Sequence, residues 1–352
     1  MKIIHITTSL NSGGLENIMV DIANEQNRLG HQVAIIVVNK GVEPTISSRI
    51  DKNIQIFFIG RKPGSWRIVP IIKLWLIFRK LSNYDIIHAH GIYLGKVLRC
   101  LTKTKIILTI HGVNKDIKPL RYYNKLFAIS GAVRTDIENR SDFKPLVVYN
   151  GIETKSIKTK QQLFEDGNFK IIQVSRLVHE IKGQDILLRA IKHCIENEGF
   201  NSPRITLDFV GDGQSRGILE RLTKELGISH RVRFLGNKSR NWVYENLCCY
   251  DLFVQPSRYE GFGITVAEAM AAKVPVIVAN RDGPAEILDF GKYGWLFENE
   301  NICDLALKIE EVKILSQNDE LSDLLESAYK HCIKNYDIQI TVKNYIKQYN
   351  IV

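Results

Sequence analysis

Short apolar runs rich in β-branched residues recur through the first part of the chain: "KIIHIT", "QVAIIVV", "IQIFFIG", "DIIHAH", "KIILTIHG", "KLFAIS" and "PLVVYNG". Each has the length and composition of a buried strand. Between the first two lies "GLENIMVDIANEQNRLG". There Leu15, Ile18, Met19, Ile22 and Ala23 recur at the spacing of one helix face, and Gly30 suits the helix end. Alternation of strand and helix predicts a parallel sheet with helices on both faces.

The pattern then restarts. "FKIIQVSRL", "RITLDFVGDG", "RVRFLG", "YDLFVQPS", "VPVIVAN" and "YGWLF" read as a second set of strands, with "GQDILLRAIKHCIEN", "SRGILERLTKELG" and "ITVAEAMAAK" as helices between them. The polar stretch "ETKSIKTKQQLFEDGN" suits a linker, with a hinge expected near 155–168. Domains are expected at 1–160 and 161–334, followed by a terminal helix at 335–352, "YDIQITVKNYIKQYN". A chain of 352 residues is long for one core, which agrees with two α/β units. Ligands of open parallel sheets bind beyond the carboxyl ends of the strands. Two sheets facing each other are therefore expected to share a cleft, with the informative residues just after strands.

Those positions carry chemistry. After the first strand, Gly13 and Gly14 open a helix, where free N–H groups and the positive dipole end suit an anion. A tight strand-to-helix turn accounts for the same residues, and the dinucleotide fingerprint is absent. His111 in "TIHGVN" follows another strand, as does "HAHG"; a lone histidine also serves in structure. In "SRLVHEIKGQD", Arg176 and Lys182 flank a short loop and suit a diphosphate, although a solvated surface pair has the same pattern. "VGDG" is too common a loop signal to carry weight.

The stretch "PSRYEGFGITVAEAMAAKVPVI" places Glu260 before a turn containing Gly261 and Gly263, and Glu268 in the helix that follows. Thr265 and Glu268 have capping-box spacing, which gives Glu268 a purely structural reading. Alternatively, Glu260 and Glu268 accept from hydroxyls and diols, while the glycine backbone approaches a phosphate. Carboxylates for hydroxyls, with cations and amides for a diphosphate, match a nucleotide-sugar. No D-x-D triplet is present, so Arg176 and Lys182 are expected to stand in for a metal; no metal and no cofactor are expected.

Taken together, these segments resemble a retaining glycosyltransferase of the GT-B fold, in the group-4 family often described as group 1. The resemblance covers nearly the whole chain, through "SGGLENIMVDIANEQNRLGHQV", "TIHG", "AISGAVRTDI", "VYNGIE", "VSRLVHEIKGQDILLRAI" and the Glu-x7-Glu pair of "PSRYEGFG…EAMA". It implies two facing Rossmann-like domains, with the last helix crossing back onto the N-terminal one. It implies that Glu260 contacts hydroxyls of the donor sugar and Glu268 the ribose. Arg176 and Lys182 would hold the diphosphate, helped by backbone around Gly14 and around Gly261, Phe262, Gly263, Ile264 and Thr265. His111 would sit by the donor sugar and reacting centre, and Gly236 and Asn237 near the base. Retention without a protein nucleophile is implied. Lys273 and Asp282 stand where glycine is common; the first is expected to matter little. The Arg176-to-Lys182 spacing is one residue longer than in many members, so Lys182 would approach the phosphate from a different loop.

Charge adds a partner. The net charge is +10, which favours an anionic ligand or surface. Arg67, Lys73, Arg79, Lys80, Lys96, Arg99, Lys103 and Lys105 are interrupted only by Asp85, and Lys115, Lys118, Arg121 and Lys125 follow with Asp116. "WRIVPIIKLWLIFRKL" mixes tryptophan, aliphatics and cations as interfacial helices do, so docking on an anionic membrane with a polyprenyl-linked glycan acceptor is expected. A core helix with a solvated basic face is the alternative. The six cysteines have no metal or disulfide spacing and read as reduced thiols, and the N-terminus is too interrupted for a signal peptide. A cytoplasmic enzyme, peripheral on the inner face of the membrane, is expected. UDP-sugars lead as donor, with GDP-mannose next. A phosphorylase or nucleotide-sugar epimerase of the same fold remains open. Nucleic acid is disfavoured because the basic residues cluster with aliphatics rather than with stacking aromatics.

Overall fold

The computed structural model describes residues 1–11, 13–62, 68–81, 83–161, 167–197, 203–318 and 320–351. Two compact units divide it: 1–152 with 336–352, and 153–335.

The first unit winds through β1 (Lys2–Thr7), α1 (Gly14–Arg28), β2 (Gln32–Asn39), α2 (Pro44–Ser47), β3 (Gln55–Arg61), α3 (Ile68–Lys80) and β4 (Ile86–Ala89). It continues through α4 (Gly95–Leu101), β5 (Lys105–Ile110), β6 (Lys125–Ala128), α5 (Gly131–Arg140) and β7 (Leu146–Val147). The strands pair in parallel in the order β3-β2-β1-β4-β5-β6-β7. Helices cover both faces, so β1, β2, β4 and β5 are buried almost along their whole length. That is why their sequences read as unbroken apolar runs rather than alternations.

The second unit repeats the winding. Its elements are β8 (Asn168–Val174), α6 (His179–Lys182), α7 (Gln184–Glu196), β9 (Arg204–Val210), α8 (Arg216–Glu225), β10 (Val232–Phe234) and α9 (Arg240–Asn246). β11 (Leu252–Gln255), α10 (Ile264–Ala271), β12 (Val276–Ala279), α11 (Asp282–Ile287), β13 (Trp295–Phe297), α12 (Ile302–Gln317) and α13 (Ser322–Tyr336) complete it. The parallel order is β10-β9-β8-β11-β12-β13. Its core runs from Phe169, Ile171 and Leu207 to Ile309 and Val312 of α12.

The chain then returns to the first unit. Ile152 N–H donates to Tyr336 O (2.8 Å) and Ile338 N–H to Ile152 O (2.9 Å), leading into α14 (Ile338–Tyr349), which packs on α1. Gly151 allows the return: a Cβ there would lie 2.6 Å from Ile338 Cα. Tyr345 and Tyr349 of α14 are buried.

The change of unit falls after Ile152, ahead of the polar stretch that composition marks as a hinge. Lys158 N–H donates to Tyr244 O (3.0 Å) and Lys160 N–H to Ala272 O (2.8 Å), while Lys160 Nζ forms a buried ion pair with Asp251 (2.8 Å). Low apolar content here reflects polar anchoring on the second unit. Residues 162–166 of that stretch lie outside the described residues. All six cysteines are free. Among the described residues no helix is long and apolar enough to cross a membrane.

Candidate functional site

In the second unit β8 and β11 are the central pair, from which the chain winds outward in opposite directions. That switch point opens a crevice at the strand ends. Arg176 follows β8, and the Pro256–Glu260 loop follows β11. Lys182, the last residue of α6, forms an ion pair with Glu260. A buried glutamine on each central strand fixes one partner. Gln173 Nε2 donates to Lys182 O (3.0 Å), and Gln255 Nε2 donates to Ser257 Oγ (2.8 Å) and reaches Glu260 Oε2 (3.5 Å). Gln184 Nε2 holds the Arg176 carbonyl (3.0 Å). The Arg176 side chain is exposed, and its guanidinium has no hydrogen-bond or ion-pair partner among the described residues.

Arg258 clamps the two loops together. It is bidentate to Asp185 (2.9 and 2.9 Å) and also donates to Glu300 (2.6 Å) and His179 O (2.8 Å). Burial alone would raise Asp185, but the Arg258 hydrogen bonds and charge hold it below the usual carboxylate range. Gly183, between α6 and α7, has φ +67°, and a Cβ there would lie 1.9 Å from Pro256 O. Only glycine lets the Lys182 loop and the Glu260 loop touch. The glycines of "VGDG" act similarly: a Cβ on Gly211 would lie 2.0 Å from Ser175 O, and one on Gly213 2.4 Å from Leu177 O. Gly211 N–H also donates to Gly236 O (2.9 Å), tying Gly236 to the Arg176 loop; Asn237 beside it is exposed.

α10 corrects the capping-box expectation. Its N-cap is Gly263, at φ +102°, with no side-chain cap. Thr265 is the second helical residue and Glu268 the fifth, so Glu268 lies too far along to close the helix start. The first N–H groups, from Ile264 and Thr265, stand outside the helix ladder, as at any helix start. Glu268 is buried on the same helix. Asp282 has φ +56°, a left-handed backbone that suits glycine, and its carboxylate accepts from Glu260 N–H (3.3 Å) and Arg281 Nε (3.2 Å). Short polar side chains tolerate this region. Gly283 backs the loop, since a Cβ would lie 2.4 Å from Phe262 Cα. Lys273 also has φ +56°, so it is not a neutral replacement for glycine; its ammonium bonds Glu326 (2.6 Å).

The other expected residues belong to the first unit. Gly14 opens α1 behind the N-cap Gly13, and a Cβ on Gly13 would lie 2.5 Å from Glu16 Oε2. A carboxylate therefore already stands at that helix start. His111 follows β5 and heads a set of buried rings. Its Nε2 lies 3.1 Å from His90 Nδ1; His90 Nε2 lies 3.0 Å from His5 Nδ1; His5 Nε2 lies 2.7 Å from Gln26 Oε1. His5 and His88 are register neighbours across β1 and β4. His88 Nδ1 meets Tyr349 OH (2.7 Å) and its Nε2 meets Thr109 Oγ1 (2.7 Å). Burial, with Lys115 second, pulls His111 down to about 3, and burial pulls His5 to about 4. His88 and His90 lie well below the usual range for the same first reason. His5, His88 and His90 bring nitrogens within 4.8 Å of one another. All six of those nitrogens already have hydrogen-bond partners, and stacked rings do not converge on a common centre. The cluster is a hydrogen-bond network.

Residues 154–331 match the family described as Glycosyl transferases group 1, and residues 12–156 match Glycosyltransferase Family 4. An uncharacterized glycosyltransferase of Methanocaldococcus jannaschii is 30% identical over 285 residues, covering 76% of each chain. The lipopolysaccharide core biosynthesis glycosyltransferase LpsE of Rhizobium meliloti is 24% identical over 189 residues, covering 51% of this chain and 54% of that one. The crystal structure of Anabaena HepE in complex with UDP and glucose superposes with a TM-score of 0.80 at 22% identity, covering 100% of both chains. Two doubly wound parallel sheets in separate units, with a terminal helix returned to the first, are the architecture of a GT-B glycosyltransferase. The chain belongs to the glycosyl transferases group 1 family.

Sequence reasoning did not single out Arg258, Asp185, Gln173, Gln255, Gly183 or Gln26. A glycine at the seam of two helices was the readable signal for Gly183. The glutamines carried none, because an interior glutamine is legible only once its partners are in place.

Proposed function

We propose that this enzyme transfers a hexosyl unit, with retention, from a UDP-sugar to a lipid-linked glycan during synthesis of a cell-surface polysaccharide. The observation that carries the reading is the pairing of Lys182 with Glu260 at the β8/β11 switch point, where Arg176 follows β8. A departing UDP needs its growing negative charge met, and Arg176, Lys182 and the first amides of α10 supply positive groups on one unit. Each well-placed donor to a developing anion is worth about 2.7–4 kcal/mol of barrier. We assign Glu260 to the sugar hydroxyls and Glu268 to the ribose. Lys182 restrains Glu260 as an ion and competes with any nucleophilic use of it. The acceptor hydroxyl then attacks on the face that the phosphate leaves, and a phosphate oxygen takes its proton. The cations do the work that a metal would do, so we propose turnover without one. The UDP and glucose held by HepE support the donor class, and the name of LpsE supports a surface glycan.

Membrane docking is part of the proposal. α3 leaves Ile68, Val69, Ile72, Trp75 and Leu76 between 40% and 73% exposed, with Lys73, Arg79 and Lys80 on the same helix. The Arg79 guanidinium lies over the Trp75 ring (4.9 Å). Only Leu74 and Phe78 of α3 are buried, which counts against the core-helix alternative. Trp66 and Arg67, part of the basic stretch, lie outside the described residues. An anionic leaflet attracts each nearby Lys or Arg by about 1 kcal/mol.

Three measurements test this reading. A thermal-shift series with UDP, UDP-sugars and GDP-mannose should stabilise most with a UDP-sugar, and EDTA should leave turnover intact. No shift with any nucleotide, or phosphate-dependent cleavage without nucleotide, would refute the donor assignment. Flotation with anionic vesicles should recover the protein, and Trp75→Glu with Leu76→Glu should abolish recovery. Equal recovery on neutral vesicles would refute the docking surface.

A further inference from the structure

The rings behind His111 form a single hydrogen-bonded chain whose direction follows from one member. A neutral imidazole has one N–H and one lone pair, so a ring that accepts on one side donates on the other. Gln26 Oε1 can only accept, and it lies 2.7 Å from His5 Nε2. His5 therefore carries its proton on Nε2 and offers Nδ1 as a lone pair. His90 Nε2, 3.0 Å from that lone pair, donates to it. His90 Nδ1 is then a lone pair, and His111 Nε2, 3.1 Å away, donates in turn. The proton of His111 sits on its inner nitrogen. Its outer nitrogen, Nδ1, is a lone pair with no partner among the described residues.

The opposite end of Gln26 carries the chain further. Gln26 Nε2 donates to Tyr349 OH (3.3 Å). The Tyr349 hydrogen then turns to His88 Nδ1 (2.7 Å), and His88 Nε2 donates to Thr109 Oγ1 (2.7 Å). Thr109 Oγ1 meets Tyr345 OH (3.0 Å). A second, independent feature favours this direction. Lys115 is the charged neighbour of His111, and a nearby ammonium attracts the electron-rich end of the chain toward itself. Turning the Gln26 amide over would reverse every bond and set an N–H against that charge. Burial supplies the remaining condition, because each ring must be neutral for the sequence of donors to hold.

We propose that Gln26 is a positioning residue that fixes the tautomer of His111 through His5 and His90. His111 Nδ1 then accepts a hydrogen bond from a hydroxyl of the transferred sugar and does not donate to a phosphate oxygen. The ligand half of this proposal rests on the glycosyl-transfer reading above; the tautomer half does not. α14 joins the network as well, because Tyr349 OH meets both the Gln26 amide and His88 Nδ1.

The test is long-range proton–nitrogen NMR of the full chain labelled at histidine, at pH 7.5, with rings assigned from single His→Gln variants. His5, His90 and His111 should all be Nε2–H tautomers. Gln26→Leu should give His111 a second, Nδ1–H population and lower kcat/KM by about tenfold, whereas Gln26→Glu, which keeps an acceptor for His5, should hold the Nε2–H form. An Nδ1–H form of His111 in the unaltered protein would overturn the proposal, as would tautomers indifferent to Gln26→Leu. The spectrum of the unaltered protein decides the point even if Gln26→Leu does not fold. If the tautomers are as stated but His111→Gln leaves kcat/KM unchanged, the ligand half is overturned and the Gln26 relay stands.

Discussion

Acidification should unfold the first unit long before it unfolds the second. His5, His88, His90 and His111 are held neutral by burial, with His5 near 4 and His111 near 3. In the unfolded chain each returns to about 6.5. A depressed folded-state value means that the unfolded state binds more protons from about 6.5 down to that value, so stability falls as pH falls through this range. Between pH 7.5 and 5.5 each such histidine removes about 1.4 kcal/mol, and four together remove roughly 5 kcal/mol. The whole stability of a domain is typically about 5–15 kcal/mol. Carboxylates held low, such as Asp185 and Glu326, lose their contribution only as pH falls below the ordinary carboxylate range, outside this window. His31 is also lowered, by burial and then the N-terminal charge, and adds in the same direction. The assay is urea-dependent hydrogen exchange at pH 7.5, 6.5 and 5.5, corrected for intrinsic rates and read on peptides from β1, β4, β5 and α14. Opening free energies there should drop by roughly 5 kcal/mol, while peptides from β8, β9 and β11 change much less. A drop below about 1 kcal/mol in the first unit would refute the neutral histidine chain.

Three further substitutions probe the second unit. Arg176→Ala should lower kcat by about 10²–10³, the cost of one charge-stabilising donor, and leave Tm unchanged because the side chain is exposed; an unaltered kcat removes it from the reaction. Gly183→Ala places a Cβ 1.9 Å from Pro256 O at φ +67°, so it should destabilise by at least about 1 kcal/mol and weaken UDP binding in titration calorimetry; normal UDP affinity would show that the loop contact is dispensable. Glu268→Gln should raise the donor KM with little change in Tm, since Glu268 does not cap α10; an unchanged KM would remove the ribose role.

The fold was legible because parallel strands buried on both faces must be apolar throughout, and helices covering them must be striped. Every strand run in the sequence corresponds to a strand, and Gly30, at φ +83°, closes α1 as its position suggests. The candidate residues were legible by their place in the winding: Arg176, His111 and Glu260 follow β8, β5 and β11, as the strand runs in the sequence imply. Legibility failed where one sequence pattern serves two geometries. Thr265 and Glu268 have capping-box spacing, yet the left-handed Gly263 is the N-cap, two residues before Thr265, so Thr265 already lies inside the helix. It failed again where meaning depends on a distant partner. Arg258 looks like a solvated loop residue until Asp185 lies beside it, and Gln26 looks like one polar residue in a helix until His5 does.

The two units share one winding but bury different groups at their switch points. At the β1/β4 switch point the histidine rings lie inside the sheet, in register at His5 and His88. Burial there makes a charge costly, so these groups can act only as neutral donors and acceptors. At the β8/β11 switch point the glutamines are buried, while Lys182 and Glu260 keep 21% and 20% of their side-chain exposure. Ions persist at that depth because water still reaches them and each has a partner. A diphosphate requires lasting positive charge, which the first sheet cannot hold among its histidines. Exchanging the two sets would therefore fail in both places: a lysine in place of His5 would lose its proton or unfold the sheet, and a histidine in place of Lys182 would leave Glu260 without a permanent cation at neutral pH.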